Sequence, residues 1–347
     1  MKFITGITTG VPGPADWVIA AEQLIAVGHK AVLVMITEDA GSTPRDAGAW
    51  MLVGQDATLG TLGGGELERM AEEAAKAMLE DQGDWRRSTL HCVLGPDLRQ
   101  CCGGTVELAL EPLDFTSKQW LEQAMDSVQE NADDAALFRI ADPTAVPQII
   151  SARRSIAATA GVHLQSLQDP RPQLFLFGAG HVGRSLCTMA SQLPLRVMVI
   201  DSRVMMRALI PRVANVAIAE LVDPKTSICC IPSGVAVLVM THSHELDYQI
   251  CRTLLTRKDF SFVGLIGSRS KAARFRHRLR DDGLPVEAIE RLTSPIGSIG
   301  PAGKEPGVIA LAALSEIFSL LRSSDTKGAG KQNLESKVTS SRGRYTS

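Results

Sequence analysis

Apolar residues recur along this chain in two rhythms, and the change from one to the other divides it. From Asp16 to Ala26, the spacing of Trp17, Ala20, Ala21, Leu24 and Ile25 places the apolar side chains on one helical face. Ala31 to Ile36 is an unbroken apolar run of strand length, and Trp50 to Val53 resumes as a strand after the turn-rich stretch from Ala40 to Gly48. Gly60 to Gly65 then opens directly into Glu66 to Glu80, whose Ala, Glu, Leu and Met content predicts a helix. Thr105 to Leu110 reads as a further strand, and these elements predict an α/β domain over residues 1–113.

The pattern weakens over 114–170. A helix near Gln119 to Glu130 and short strands near Phe138 and Ile149 are expected there, within a connecting segment. From Gln173 onward, strands and helices alternate. Gln173 to Phe177, Val197 to Ile200, Val235 to Met240 and Phe262 to Ile266 are continuous apolar runs, as a parallel sheet covered on both faces requires. Arg269 to Arg280 predicts a helix whose Lys271, Arg274, Arg276, Arg278 and Arg280 read as a solvated basic face. Val308 to Leu321 reads as a buried helix. The second domain is therefore expected over 171–322, and residues 323–347, rich in Ser, Gly and Lys, as a disordered tail.

Composition narrows the function classes. The 347 residues are 45% hydrophobic, enough for two or three packed units. A net charge of −2 gives no field that favours nucleic acid or an anionic membrane surface, and two tyrosines make base-stacking platforms unexpected. No nucleic-acid partner is expected. No segment approaches the roughly 18 uninterrupted apolar residues of a membrane span, and Met1 to Gly10 lacks a signal-peptide core. Seven cysteines, an odd number without a disulfide-like framework, point to a reducing compartment, so the cytoplasm is expected.

The most specific local signal is Gly178-Ala-Gly180-His181-Val-Gly183, which follows a strand and opens a helix, with Asp201 at the end of the next strand. This context predicts a Rossmann-like domain. Glycine lets the backbone approach a phosphate whose charge is met by the helix N-terminus, and Asp201 is placed to accept from a ribose diol. Hydride chemistry also needs a proton-handling group. Tyr248 is followed four residues on by Arg252 where the short-chain dehydrogenase pair has lysine, so NAD(P) is not expected. An NAD(P)-dependent oxidoreductase stands as an alternative.

Other candidates sit at predicted strand ends, where an open parallel sheet faces its ligand crevice. His242 and Asp247 lie in Thr241-His-Ser-His-Glu-Leu-Asp247, and Gly267 and Ser268 close Gly264-Leu-Ile-Gly-Ser268. In the first domain, Gly63, Gly64 and Gly65 form a second glycine loop, and Cys101, Cys102, Gly103 and Gly104 a small-residue turn that presents thiols. A thiolate there suits molybdenum, copper or zinc, or carries a persulfide, so a persulfide sulfurtransferase is a further alternative.

Taken in order, these segments resemble the xanthine dehydrogenase accessory protein family of the XdhC type, which includes CoxI-like relatives. The resemblance rests on Gly41-Ser-Thr-Pro-Arg45, Gly60-Thr-Leu-Gly-Gly-Gly65 with Leu67-Glu68, Gln100-Cys-Cys-Gly-Gly104, Phe177-Gly-Ala-Gly-His-Val-Gly-Arg184, Asp201-Ser-Arg203, Thr241-His-Ser-His244 with Asp247, Gly264-Leu-Ile-Gly-Ser268 and Ser294-Pro-Ile-Gly297. It implies an accessory factor rather than an enzyme, working as a homodimer. Such a factor binds molybdenum cofactor (molybdopterin) as cargo, shields it while a cysteine desulfurase supplies its sulfido ligand, and inserts it into the molybdenum-binding subunit of xanthine dehydrogenase. Cys102, with Cys101 beside it, is the residue this resemblance implies for metal contact or sulfur relay. The phosphate falls to either glycine loop.

Overall fold

The computed structural model describes residues 11–81, 85–95, 103–129, 136–140, 145–151, 162–298 and 300–321. The chain divides into two compact units, Met1–Pro170 and Arg171–Ser347.

The first unit runs α1 (Asp16–Ala26), β1 (Ala31–Ala40), β2 (Trp50–Gly54), β3 (Thr58–Gly60), α2 (Gly65–Glu80), β4 (Ser88–Val93) and β5 (Thr105–Leu113). A 3-10 turn at Phe115–Ser117, α3 (Lys118–Gln129), β6 (Ala136–Ile140), β7 (Gln148–Ser151) and β8 (His163–Ser166) follow. Strands β3-β2-β1-β5-β4 form one antiparallel sheet. Its centre, β1, reads as an uninterrupted apolar run because both faces are covered. Ala31, Leu33 and Met35 point to a core shared with α1 and α3, while Val32, Val34 and Ile36 point to one shared with Leu67, Ala71 and Ala75 of α2.

The described elements between residues 114 and 170, expected as a connecting segment, belong to this unit. Strands β7-β6-β8 make a small second sheet, and Phe138 packs edge-on against Trp17 at 5.0 Å and beside Trp120 at 5.5 Å. An aromatic cluster thus joins α1, α3 and β6. Each such pair contributes about 0.5–1.5 kcal/mol beyond its buried area. The sequence signal is weak here because each short element finds its apolar partner far away in the chain.

The second unit runs β9 (Gln173–Phe177), α4 (His181–Ala190), β10 (Arg196–Asp201), α5 (Val204–Arg207), β11 (Val216–Glu220), α6 (Pro224–Cys229) and β12 (Ala236–Val239). It continues with α7 (His244–Thr256), β13 (Phe262–Leu265), α8 (Arg269–Asp281), α9 (Val286–Glu290) and β14 (Leu292–Thr293), and ends on a helix, α10, over 306–321. All strand pairs are parallel, in the order β11-β10-β9-β12-β13-β14. Chain order reverses between β9 and β12, the switch point at which an open α/β sheet leaves a crevice beyond its strand ends. Leu186, Cys187 and Ala190 of α4 with Ala313, Leu314 and Ile317 of α10 cover one face. Ile250, Cys251 and Leu254 of α7 with Phe275 and Leu279 of α8 cover the other. The fold is mixed α/β, with a Rossmann-type second unit.

Candidate functional site: the carboxyl edge of the parallel sheet

Gly178 leaves β9 at φ 121°, and its amide donates to Ile200 O at 2.9 Å. A Cβ at this position would stand 2.3 Å from Met240 O, so only glycine lets the end of β9 lie against the end of β12. Gly183 is required in the same way, since a Cβ there would stand 2.3 Å from Gly178 O. Gly180 differs from both. Its φ is −72°, open to any residue, and a Cβ built on it meets nothing within 4 Å. Neither conformation nor packing demands glycine there. Gly180 caps α4 with no side chain, and the first turn of α4 carries no acid. The start of α4 thus has neither a side-chain cap nor an acid, with open space at the Cβ position of Gly180 and exposed His181 beside it.

Asp201, placed by sequence to accept from a ribose, is turned inward. It is 3% exposed. Its carboxylate accepts from Ala179 N at 2.7 Å and Arg203 N at 2.8 Å, and from the Arg203 guanidinium at 2.9 and 2.7 Å. Burial pushes this carboxyl up, but the Arg203 guanidinium and the two amides outweigh it and hold it at about 2. Because the folded value lies below the unfolded one, the resulting stability is present above about pH 4 and is lost as pH falls through about 2. Asp201→Asn is expected to cost roughly 2 kcal/mol near neutrality and to flatten that acid limb. Urea midpoints measured from pH 5 down to 2 check this, and parallel curves for the two proteins would contradict it.

Asp247 is likewise an internal strut. It is fully buried, accepts from Thr241 N at 2.8 Å and Thr241 Oγ1 at 2.7 Å, and pairs with Lys271 Nζ at 2.6 Å. Lys271 also donates to Ile266 O at 3.1 Å. The ends of β12 and β13 are joined by this one ion pair. Lys271, read from sequence as part of a solvated basic face, is 7% exposed. The signal lay in its register: it sits four residues before Phe275 and eight before Leu279, on the buried stripe of α8. Gly267 gives its side chain room, since a Cβ there would stand 2.6 Å from Lys271 Cδ. Ser268 caps α8 by accepting from Lys271 N. His242 is exposed and lines a shallow depression with Ser202, Leu221 and Leu246.

In the first unit, the glycine loop between β3 and α2 is closed on itself. Glu68 Oε2 accepts from Leu62 N at 2.9 Å, Gly64 N at 3.0 Å and Thr61 Oγ1 at 2.5 Å, and Gly63 N donates to Thr61 Oγ1 at 3.1 Å. Glu66 and Glu68 both stand in the first turn of α2. As a phosphate cradle, the loop at Gly63, Gly64 and Gly65 thus has three amides already engaged and two carboxylates at its mouth. Gly104 fixes the other turn, donating to Ser42 O at 3.0 Å where a Cβ would stand 2.5 Å from Ala40 O. Gly103 is exposed and open. Cys101 and Cys102 lie outside the described residues. Among the described residues, no group of three or more His, Cys, Asp or Glu gathers around a metal position, and no helix is long and apolar enough to cross a membrane.

Comparison with known proteins agrees with this architecture. Residues 24–90 match the XdhC and CoxI family, and residues 174–317 match the XdhC Rossmann domain. The chain belongs to the XdhC and CoxI family. YqeB of Escherichia coli (strain K12) is 26% identical over 298 residues, which are 83% of this chain and 43% of that protein, so the chain spans less than half of that relative's length. A probable xanthine dehydrogenase subunit of Bacillus subtilis (strain 168) is 25% identical over 334 residues, covering 86% of this chain and 95% of the relative. A crystal structure described as a xanthine dehydrogenase from Bacillus halodurans shares the fold, with a TM-score of 0.66 at 24% identity over 88% of this chain and 96% of that one.

Proposed function

We propose that this protein is an accessory factor in the maturation of xanthine dehydrogenase and binds molybdenum cofactor as cargo through the cofactor's terminal phosphate, at the turn from Gly178 to Gly183. The observation that carries this reading is Gly180, a glycine with open space over it at an uncapped, acid-free helix start. A phosphate at a helix N-terminus gains from both the leading amides and the dipole. Electrostatics favours this turn over the one at Gly63 to Gly65, where Glu66 and Glu68 repel an anion.

Bound in this way, the cargo brings its own redox metal, and the chain's part is to hold and hand over. The amides at the start of α4 bind the phosphate. Asp201 keeps Ala179 and Arg203 in place behind the turn. Cys102 or Cys101 of the first unit is the thiol we propose for metal contact or for relay of a sulfur atom delivered by a cysteine desulfurase, in a step apart from phosphate capture. The client is the molybdenum-binding subunit of xanthine dehydrogenase, and the working form a cytoplasmic homodimer. Nicotinamide binding is disfavoured because the one carboxylate placed for a ribose already has four internal donors.

The test is purification from cells that make the cofactor. Pterin fluorescence and molybdenum are expected to travel with the protein in near-equal amounts, and the loaded protein to activate an inactive xanthine dehydrogenase. Protein free of pterin that also fails to activate when cofactor is added would refute the reading.

A further inference from the structure

Cysteine is among the residues most often buried, and three of the five described cysteines, Cys92, Cys187 and Cys251, follow that rule. Burial pushes the Cys187 thiol up to about 12 and raises that of Cys251 further, so neither supplies a thiolate near neutrality. Cys229 and Cys230 break the rule: they are adjacent, free and both exposed. They close α6 in the run Ile228-Cys-Cys-Ile231, whose isoleucines are 0% and 2% exposed.

The turn that carries the two thiols is pinned from both sides. Ile228 and Ile231 anchor it in the core under β12. Arg257 Nη1 donates to Ile228 O at 2.6 Å and Ile231 O at 3.0 Å, bracketing the cysteines, and Ile231 N donates to Ile228 O at 3.1 Å. The guanidinium's charge is balanced by Asp259 at 2.6 Å, which limits its repulsion of a cation. Two thiols are thus presented together on a rigid support, the arrangement in which little ordering cost remains on binding.

Neighbouring Cα atoms are about 3.8 Å apart across a trans peptide, below the roughly 4.4 Å that disulfides ordinarily need. The pair therefore resists closing on itself and stays available as a dithiol. A bridging atom with bonds to sulfur of about 2.3 Å relaxes that restriction. We propose that Cys229 and Cys230 form a bidentate dithiolate site for a soft, thiophilic metal ion, separate from the turn at Gly178 to Gly183 and independent of the function proposed above. On binding, each thiol releases its proton to solvent and both sulfurs donate to the ion, with no change of oxidation state. Two protein ligands leave the remaining positions open, so the site suits an ion in exchange rather than one locked in a structural core.

The experiment uses the full chain with Cys101→Ser and Cys102→Ser, which removes the other adjacent pair, and cadmium(II) as the probe. One equivalent is expected to produce the ultraviolet sulfur-to-cadmium band. Adding Cys229→Ser and Cys230→Ser should abolish the band at an unchanged thermal midpoint, and either alone should weaken binding on the order of a hundredfold by removing the chelate. Undiminished binding in the protein lacking both thiols, or single variants that bind as tightly as the parent, would overturn the proposal. A second readout needs no change at 229 or 230: cadmium should protect both residues from iodoacetamide, as read by mass spectrometry, and alkylation that ignores the metal would equally overturn it.

Discussion

Gly180→Asp is expected to leave the fold standing and to weaken capture of the phosphate-bearing cargo on the order of a hundredfold. The backbone at Gly180 is already in a region open to any residue, and nothing lies within 4 Å of the new Cβ. Aspartate is moreover a preferred cap, so α4 should gain a few tenths of a kcal/mol as the carboxylate takes the leading amides. That same carboxylate removes the donors a phosphate needs and adds like charge. Loss of one or two charge-assisted hydrogen bonds, at about 1.5–3 kcal/mol each, sets the scale of the effect. Gly178→Ala should behave in the opposite way, because its Cβ would stand 2.3 Å from Met240 O. It should destabilise the second unit by about 1–3 kcal/mol or more. Binding assays and thermal melts on the two variants separate a glycine kept for a ligand from one kept for packing. Equal destabilisation of both proteins would remove that distinction.

The largest stability effect is expected at Lys271. Removing its ammonium leaves Asp247, with no exposed surface, as an uncompensated buried charge. Breaking one side of such a pair costs about 3–5 kcal/mol, so Lys271→Met should lower the melting temperature of the second unit by roughly 10 °C. Combining Lys271→Met with Asp247→Asn should recover most of the loss, since asparagine still accepts from Thr241 and no buried charge remains. A Lys271→Met protein that melts within a degree or two of the parent would show that the pair does not hold the β12 and β13 ends together.

Much of the second unit is legible in the amino-acid sequence because its signals are local. Parallel strands buried on both faces appear as continuous apolar runs, and the turn after β9 announces itself by three glycines in a short span. Strands β4, β8 and β11 are less visible: each is short, and half of the positions in β4 and three of five in β11 are exposed, so periodicity has little to work on. The aromatic cluster of Trp17, Trp120 and Phe138 is invisible at this level, as only the folded chain brings those residues together.

The site divides in the same way. Strand-end position selects Gly180, Asp201, His242, Asp247 and Ser268 as a group, since all lie at one edge of the sheet. It does not say which of them face outward. Asp201 and Asp247 turn in because a cation lies close to each: Arg203 two residues on, and Lys271 across from α8. The first is a neighbour in sequence and could be paired by inspection. The second depends on the register of a helix whose Lys271, Arg274, Arg276, Arg278 and Arg280 all look solvated until Phe275 and Leu279 are seen to fix its buried stripe.

The most direct test of phosphate capture by the second unit is an amide spectrum of 15N-labelled protein titrated with molybdenum cofactor. The resonances of Gly180, His181 and Val182 should move in step with saturation, and those of Leu62, Gly63 and Gly64 should stay in place. Movement confined to the loop at Gly63, or no movement at the start of α4 while the cofactor is bound, would contradict the account.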